Sequence, residues 1–225
     1  ATLDEVDRLT AAPFAAWKAE LDDRLAARFD VRPDALAPWH LDDPFFQDPP
    51  AEGAVDLDPC FAEADLEALT ERTYSGLGLD ITSSLAASDL YARDGKSQHA
   101  FCINLDRAGD VRVLCNVEPN ERWADTMLHE FGHSVYSSIN IPDKLPYVVR
   151  SEAHILTTEG VAMMFERFSK SGEWLTAMGV KVPDVKAYSE TGADNEALGN
   201  NHEDHPLLGW RGAARRNSRK SAAGR

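Results

Sequence analysis

Cysteine is scarce in this chain of 225 residues. Cys60, Cys102 and Cys115 are odd in number and form no CxxC pair. That argues against a disulfide framework and fits small buried thiols in a reducing cytoplasm. Long apolar runs are also missing. None approaches the roughly 20 residues needed to cross a bilayer, so no membrane span is expected. The first residues, Ala1 to Asp7, are acidic and mixed, which is not a signal-peptide pattern. Positive charge is short as well: 23 Lys and Arg face 38 Asp and Glu, a net charge of −15. Such a surface repels polyanions, so nucleic acid and anionic membranes are poor candidate partners.

The basic residues are unevenly placed. Six of them, with no acid, fall between Pro206 and Arg225. This tail has no hydrophobic period and reads as disordered. A nucleic-acid arm would have to work against the acidic body before it. What the chain does have is 43% hydrophobic residues, enough for a packed core. The length predicts one domain.

Phe14, Trp17, Leu21, Leu25 and Phe29 recur at helical steps, so a helix is predicted over 13–29 with Pro13 near its start. Residues 38–50 hold too many prolines for a helix or central strand and read as a loop, with His40 structural. A second helix is predicted over 63–75, closed by Gly76. Residues 100–105 and 111–117 are β-prone runs joined by DRAGD, a hairpin pattern. Asn120 can cap a long helix to Ile139, with Trp123, Met127, Phe131 and Val135 on one stripe. A last helix is predicted over 151–169.

Residues 129–133 read His-Glu-Phe-Gly-His. Two histidines four apart on a helix project from one face, one turn from each other. Two imidazoles so placed can bind one Zn²⁺, and Glu130 can serve as general base without being a ligand. A catalytic zinc takes a third protein ligand. Glu152 and Glu159 are the candidates. On one helix, seven residues separate them by about 10 Å along the axis, so one ion cannot take both. A thermolysin-like spacing favours Glu152, and spacing alone leaves the choice open. Asp125, one turn before His129, reads as a solvated charge or as a group orienting that imidazole. His154 stands close to Glu152 and has a weaker claim to a role.

LHEFGHSVY (Leu128 to Tyr136) and GKSQHAFC (Gly95 to Cys102) resemble the centre of thimet oligopeptidase and oligoendopeptidase F. The stretch from Asp110 to His133, followed by LPYVVRSEAHILTTEGVAMMFE, is also similar to angiotensin-converting enzyme. The resemblance covers about residues 10–180 and fades after Lys186. It implies a zincin-like catalytic core within a mainly α-helical fold with a small antiparallel sheet. It implies Zn²⁺ held by His129, His133 and Glu159, with Glu130 catalytic and His99 binding substrate. It also implies hydrolysis of short peptides, and substrate backbone would add to an edge of the hairpin. Those families are several hundred residues long and place a His and one or two Tyr downstream to bind the developing oxyanion. Here only Tyr188, His202 and His205 follow, and none fits that pattern well. The expected organisation is a partial catalytic core over 1–185 and a poorly structured tail over 186–225. The alternative is a zinc-binding chain impaired in turnover for want of those downstream groups.

Overall fold

The computed structural model describes residues 2–40, 56–139, 141–142 and 144–193. The chain is mainly α-helical with one two-stranded antiparallel sheet, as predicted. The described residues fall into two units, 2–40 and 56–193.

In the first unit, α1 runs Thr2–Phe29 and carries Pro13 inside it. The predicted start at 13 is therefore eleven residues late. Upstream, Asp4 and Glu5 favour a helix N-terminus, and Arg8 pairs with Glu5 one turn on. These features keep the helix going through an exposed proline that removes one backbone bond. Leu21, Leu25 and Ala26 are its buried stripe. His40 accepts from the Ala37 N–H at 2.9 Å, and its ring lies 4.9 Å from that of Phe29, a structural role. The rest of the predicted 38–50 loop lies outside the described residues.

The second unit holds α2 (Leu66–Gly76), α3 (Thr82–Ala87), β1 (Phe101–Asn104), β2 (Val111–Leu114), α4 (Glu121–Ser138), α5 (Ile155–Glu166), α6 (Gly172–Ala177) and α7 (185–193). Side-chain caps set several boundaries. Asp65 accepts from the Ala68 N–H and starts α2 three residues after the predicted position. Asn120 accepts from the Trp123 N–H at 2.9 Å and starts α4 as predicted. His154 Nδ1 accepts from the Leu156 N–H, so α5 begins at Ile155 rather than 151. A 3-10 turn at Arg167–Lys170 ends it. The predicted boundary at 185/186 falls at the start of α7, where Tyr188 is buried and donates to the Ser169 carbonyl. Residues 194–225 lie outside the described residues.

The core gathers around α4. Met127, Leu128 and Phe131 are fully buried, packed with Phe61, Leu69, Tyr74, Val113 and Leu175. The Tyr74 hydroxyl donates to the Leu128 carbonyl, which pins α4 one residue before His129. α4 and α5 cross at close range. A Cβ on Gly132 would stand 2.7 Å from the Cα of Ala162, nearer than packed carbons approach.

β1 and β2 pair Phe101 with Leu114 through Asn104 with Val111. On the far side of β2, Asp89 and Ser88 bond both backbone groups of Val113. Bonded pairs alternate along an antiparallel ladder, so its partner Cys102, and Asn104 two residues on, turn their backbone groups away from β2. Among the described residues no strand pairs with that outer edge. The loop before β1 is anchored by Lys96, whose side chain is 1% exposed. Its ammonium donates to the carbonyls of Asp89 and Tyr91 and to the Asp89 carboxylate.

Candidate metal centre

α4 presents His129 and His133 on one face, and α5 brings Glu159 opposite them. The two Nε2 atoms are 3.1 Å apart. Glu159 Oε2 lies 3.4 Å from His129 Nε2 and 3.6 Å from His133 Nε2. Three donors held about 2.0–2.1 Å from a tetrahedral centre stand roughly 3.3–3.4 Å from one another. The observed triangle fits that size, and two imidazole nitrogens with one carboxylate oxygen are a donor set zinc accepts. Among the described residues this is the cluster of three that could hold a metal ion.

The other ring nitrogens are also committed. His129 Nδ1 meets Glu166 Oε2 at 2.5 Å, and His133 Nδ1 meets Thr158 Oγ1 at 2.7 Å. The Glu166 carboxylate can only accept, so it holds the Nδ1 proton of His129, and the Thr158 hydroxyl meets Nδ1 of His133; both contacts orient the rings with Nε2 directed at the shared point. Sequence reasoning missed both partners. A signal for Glu166 was present: it lies seven residues after Glu159 on the same helix, hence on the same face.

Charge accumulates at the site. Burial alone would lower the His129 pKa. The hydrogen-bonded Glu166 and the charges of Glu130 and Glu159 outweigh that and lift it to about 9. Burial and the neighbouring His129 charge hold His133 below its usual range. Glu130 is 8% exposed, and burial raises it to about 7 against the pull of His129 and the Cys102 backbone amide. Its carboxyl thus sits beside the donor triangle and against the open edge of β1. The site opens into a cleft of about 670 Å³ walled by Ala100 to Asn104 on one side and by α4 and α5 on the others.

The remaining candidates lie elsewhere. Glu152 precedes α5 and is exposed on the cleft wall, so it does not share a helical face with Glu159. The His99 ring is exposed, one residue before the wall segment, and the structure does not bring it to the donor triangle. His154 is the cap of α5. Asp125 is half-buried and engaged with α4's neighbours rather than simply solvated, and it does not orient His129. Its carboxylate accepts from Ser169 Oγ at 2.8 Å and pairs with Lys170, which also binds Glu121. Burial raises the Asp125 pKa although Lys170 opposes it. His202 and His205 lie outside the described residues.

No helix among the described residues is long and apolar enough to cross a membrane. No family model matches the chain. No curated protein matches it either. A solved structure carrying the name oligoendopeptidase F, from Bacillus anthracis str. Ames, is similar over 80% of this chain and 32% of its own, at 20% identity and a TM-score of 0.39. The chain therefore spans about a third of the length of the solved structure it matches.

Proposed function

We propose that this chain is the catalytic core of a zinc peptidase that hydrolyses short peptides in the cytoplasm. The observation that carries the reading is the triangle of His129 Nε2, His133 Nε2 and Glu159 Oε2, with 3.1, 3.4 and 3.6 Å edges, and Glu130 buried beside it. His129, His133 and Glu159 would hold the ion. Zinc there would supply Lewis acidity toward the scissile carbonyl and make water easier to deprotonate. Glu130 takes the proton from the attacking water on a carboxylate oxygen and returns it to the departing amine. The outward Cys102 carbonyl and the outward backbone groups of Asn104 can align a substrate backbone as an added strand, with His99 just beyond it.

One observation favours a second reading, zinc binding with impaired turnover. The hydroxyl of Tyr188 is buried against Ser169, far from any role on a developing oxyanion. Losing one such donor lowers turnover by about 10²–10³.

Elemental analysis and internally quenched peptides test both. We expect about one zinc per chain. Glu130→Gln is expected to keep the metal and abolish cleavage. Glu159→Gln is expected to weaken zinc binding, and Glu152→Gln to leave it alone. Absence of zinc in the isolated protein and after reconstitution rejects the metal site. Full loading without cleavage selects the second reading.

A further inference from the structure

We propose that Arg107 is a carboxylate-recognition residue of the cleft, selecting peptides that place a carboxylate at the hairpin end of β1. The inference rests on the peptidase reading for its substrate class, though not for the site itself.

Arg107 occupies the turn between β1 and β2 with φ +55°, a left-handed conformation that residues other than glycine seldom adopt. The turn enforces it. The Asn104 side-chain carbonyl accepts from the Arg107 N–H at 2.8 Å, while the Asn104 amide donates to the Ser137 carbonyl at the end of α4. Asp106 closes the rest of the turn by accepting from the Ala108 and Asp110 N–H groups. A cation is thus set at a fixed place by backbone that favours glycine or asparagine.

Its side chain is directed, too. The guanidinium carbon lies 4.8 Å from the centre of the Tyr147 ring, and Arg107 forms part of the cleft wall. Stacking on an aromatic face restrains the fork and leaves its in-plane N–H groups able to donate. Most other arginines with a described partner spend their charge on an acid: Arg8 on Glu5, Arg32 on Asp34, Arg93 on Asp89, Arg112 on Asp110. Arg107 has no ion pair among the described residues, in a chain with 15 more acids than bases. Arg150, whose Nε donates to the Leu145 carbonyl, lines the same cleft, and its N–H caps the short turn that carries Tyr147. A half-buried guanidinium on a cleft wall, held by an aromatic ring and paired with no acid among the described residues, matches a planar carboxylate arriving with the ligand. That carboxylate is either the C-terminus of the peptide or an acidic side chain.

Calorimetric titration of the metal-free protein tests this independently of catalysis. Three N-acetylated alanine tetrapeptides serve as probes: the free acid, the amide, and the amide with one internal Glu. The free acid or the Glu amide is expected to bind at least about tenfold more tightly than the neutral amide, since charge-assisted bonds exceed neutral ones. The preferred probe tells which carboxylate is read. Arg107→Asn is expected to erase the preference, and asparagine suits the left-handed turn, so the fold is spared. Arg107→Lys is expected to keep part of it. Equal affinities, no binding by any probe, or a preference that survives in Arg107→Asn overturns the proposal. A protein that binds no zinc yet shows the preference loses the peptidase reading and keeps this subsite.

Discussion

At the scale of single residues, the centre depends on how the two imidazoles are aimed. Glu166 accepts from one ring and Thr158 contacts the other, so each ligand nitrogen is oriented before any ion arrives. Removing such an outer partner lowers metal affinity by about 10–100-fold in comparable sites. Glu166→Gln is expected to fall in that range when zinc is titrated against a competing chelator. The mutant should retain its far-ultraviolet circular dichroism. Unchanged affinity would show that the ring is held by packing alone. The ligands themselves were legible in the sequence, because a four-residue spacing on an apolar-striped helix has one geometric outcome. Glu166 was harder to see, since an acid in the last turn of a helix reads as solvent-facing. Arg107 was hidden for another reason: its aromatic partner is 40 residues downstream, and a left-handed arginine leaves no local mark.

At the scale of elements, the separation of α4 and α5 sets the size of the donor triangle. Gly132 lets them touch. Its missing side chain makes room for the Ala162 backbone, with a Phe165 ring carbon 3.3 Å from where a Cβ would stand. Gly132→Ala is expected to force the helices apart and destabilise the protein by about 1–3 kcal/mol, the usual result of overpacking. Urea midpoints measure that loss, and zinc affinity should fall in parallel because Glu159 moves with α5. A stability loss with unchanged affinity would mean that the triangle tolerates helix displacement. The periodicity of α4 and the alternation of the hairpin were readable from composition at fixed spacing. The ends of α5 were not. A histidine capping through its ring nitrogen is an uncommon cap, so the sequence pattern extends the helix over the four residues before Ile155, Glu152 among them. The start of α1 was missed because a proline normally marks a first turn, and here the turns before it are supported by charge.

At the scale of the whole molecule, ligands from two helices make the metal a staple of the core. A ligand present at 1,000 times its dissociation constant stabilises the folded state by about 4 kcal/mol. Chelation is therefore expected to lower the melting temperature of the zinc-loaded protein by several degrees in scanning calorimetry. An identical midpoint with and without chelator would disconnect the ion from the fold. The buried Lys96 carries a different consequence. With all three of its N–H groups engaged, it cannot enter the specificity pocket of trypsin while the loop stays closed. Arg93, three residues earlier and 61% exposed, can. A brief digest of the native protein should nick after Arg93 and spare the bond after Lys96. The ratio of the two fragments would then act as a built-in gauge of how often the strand that borders the cleft comes loose from its moorings.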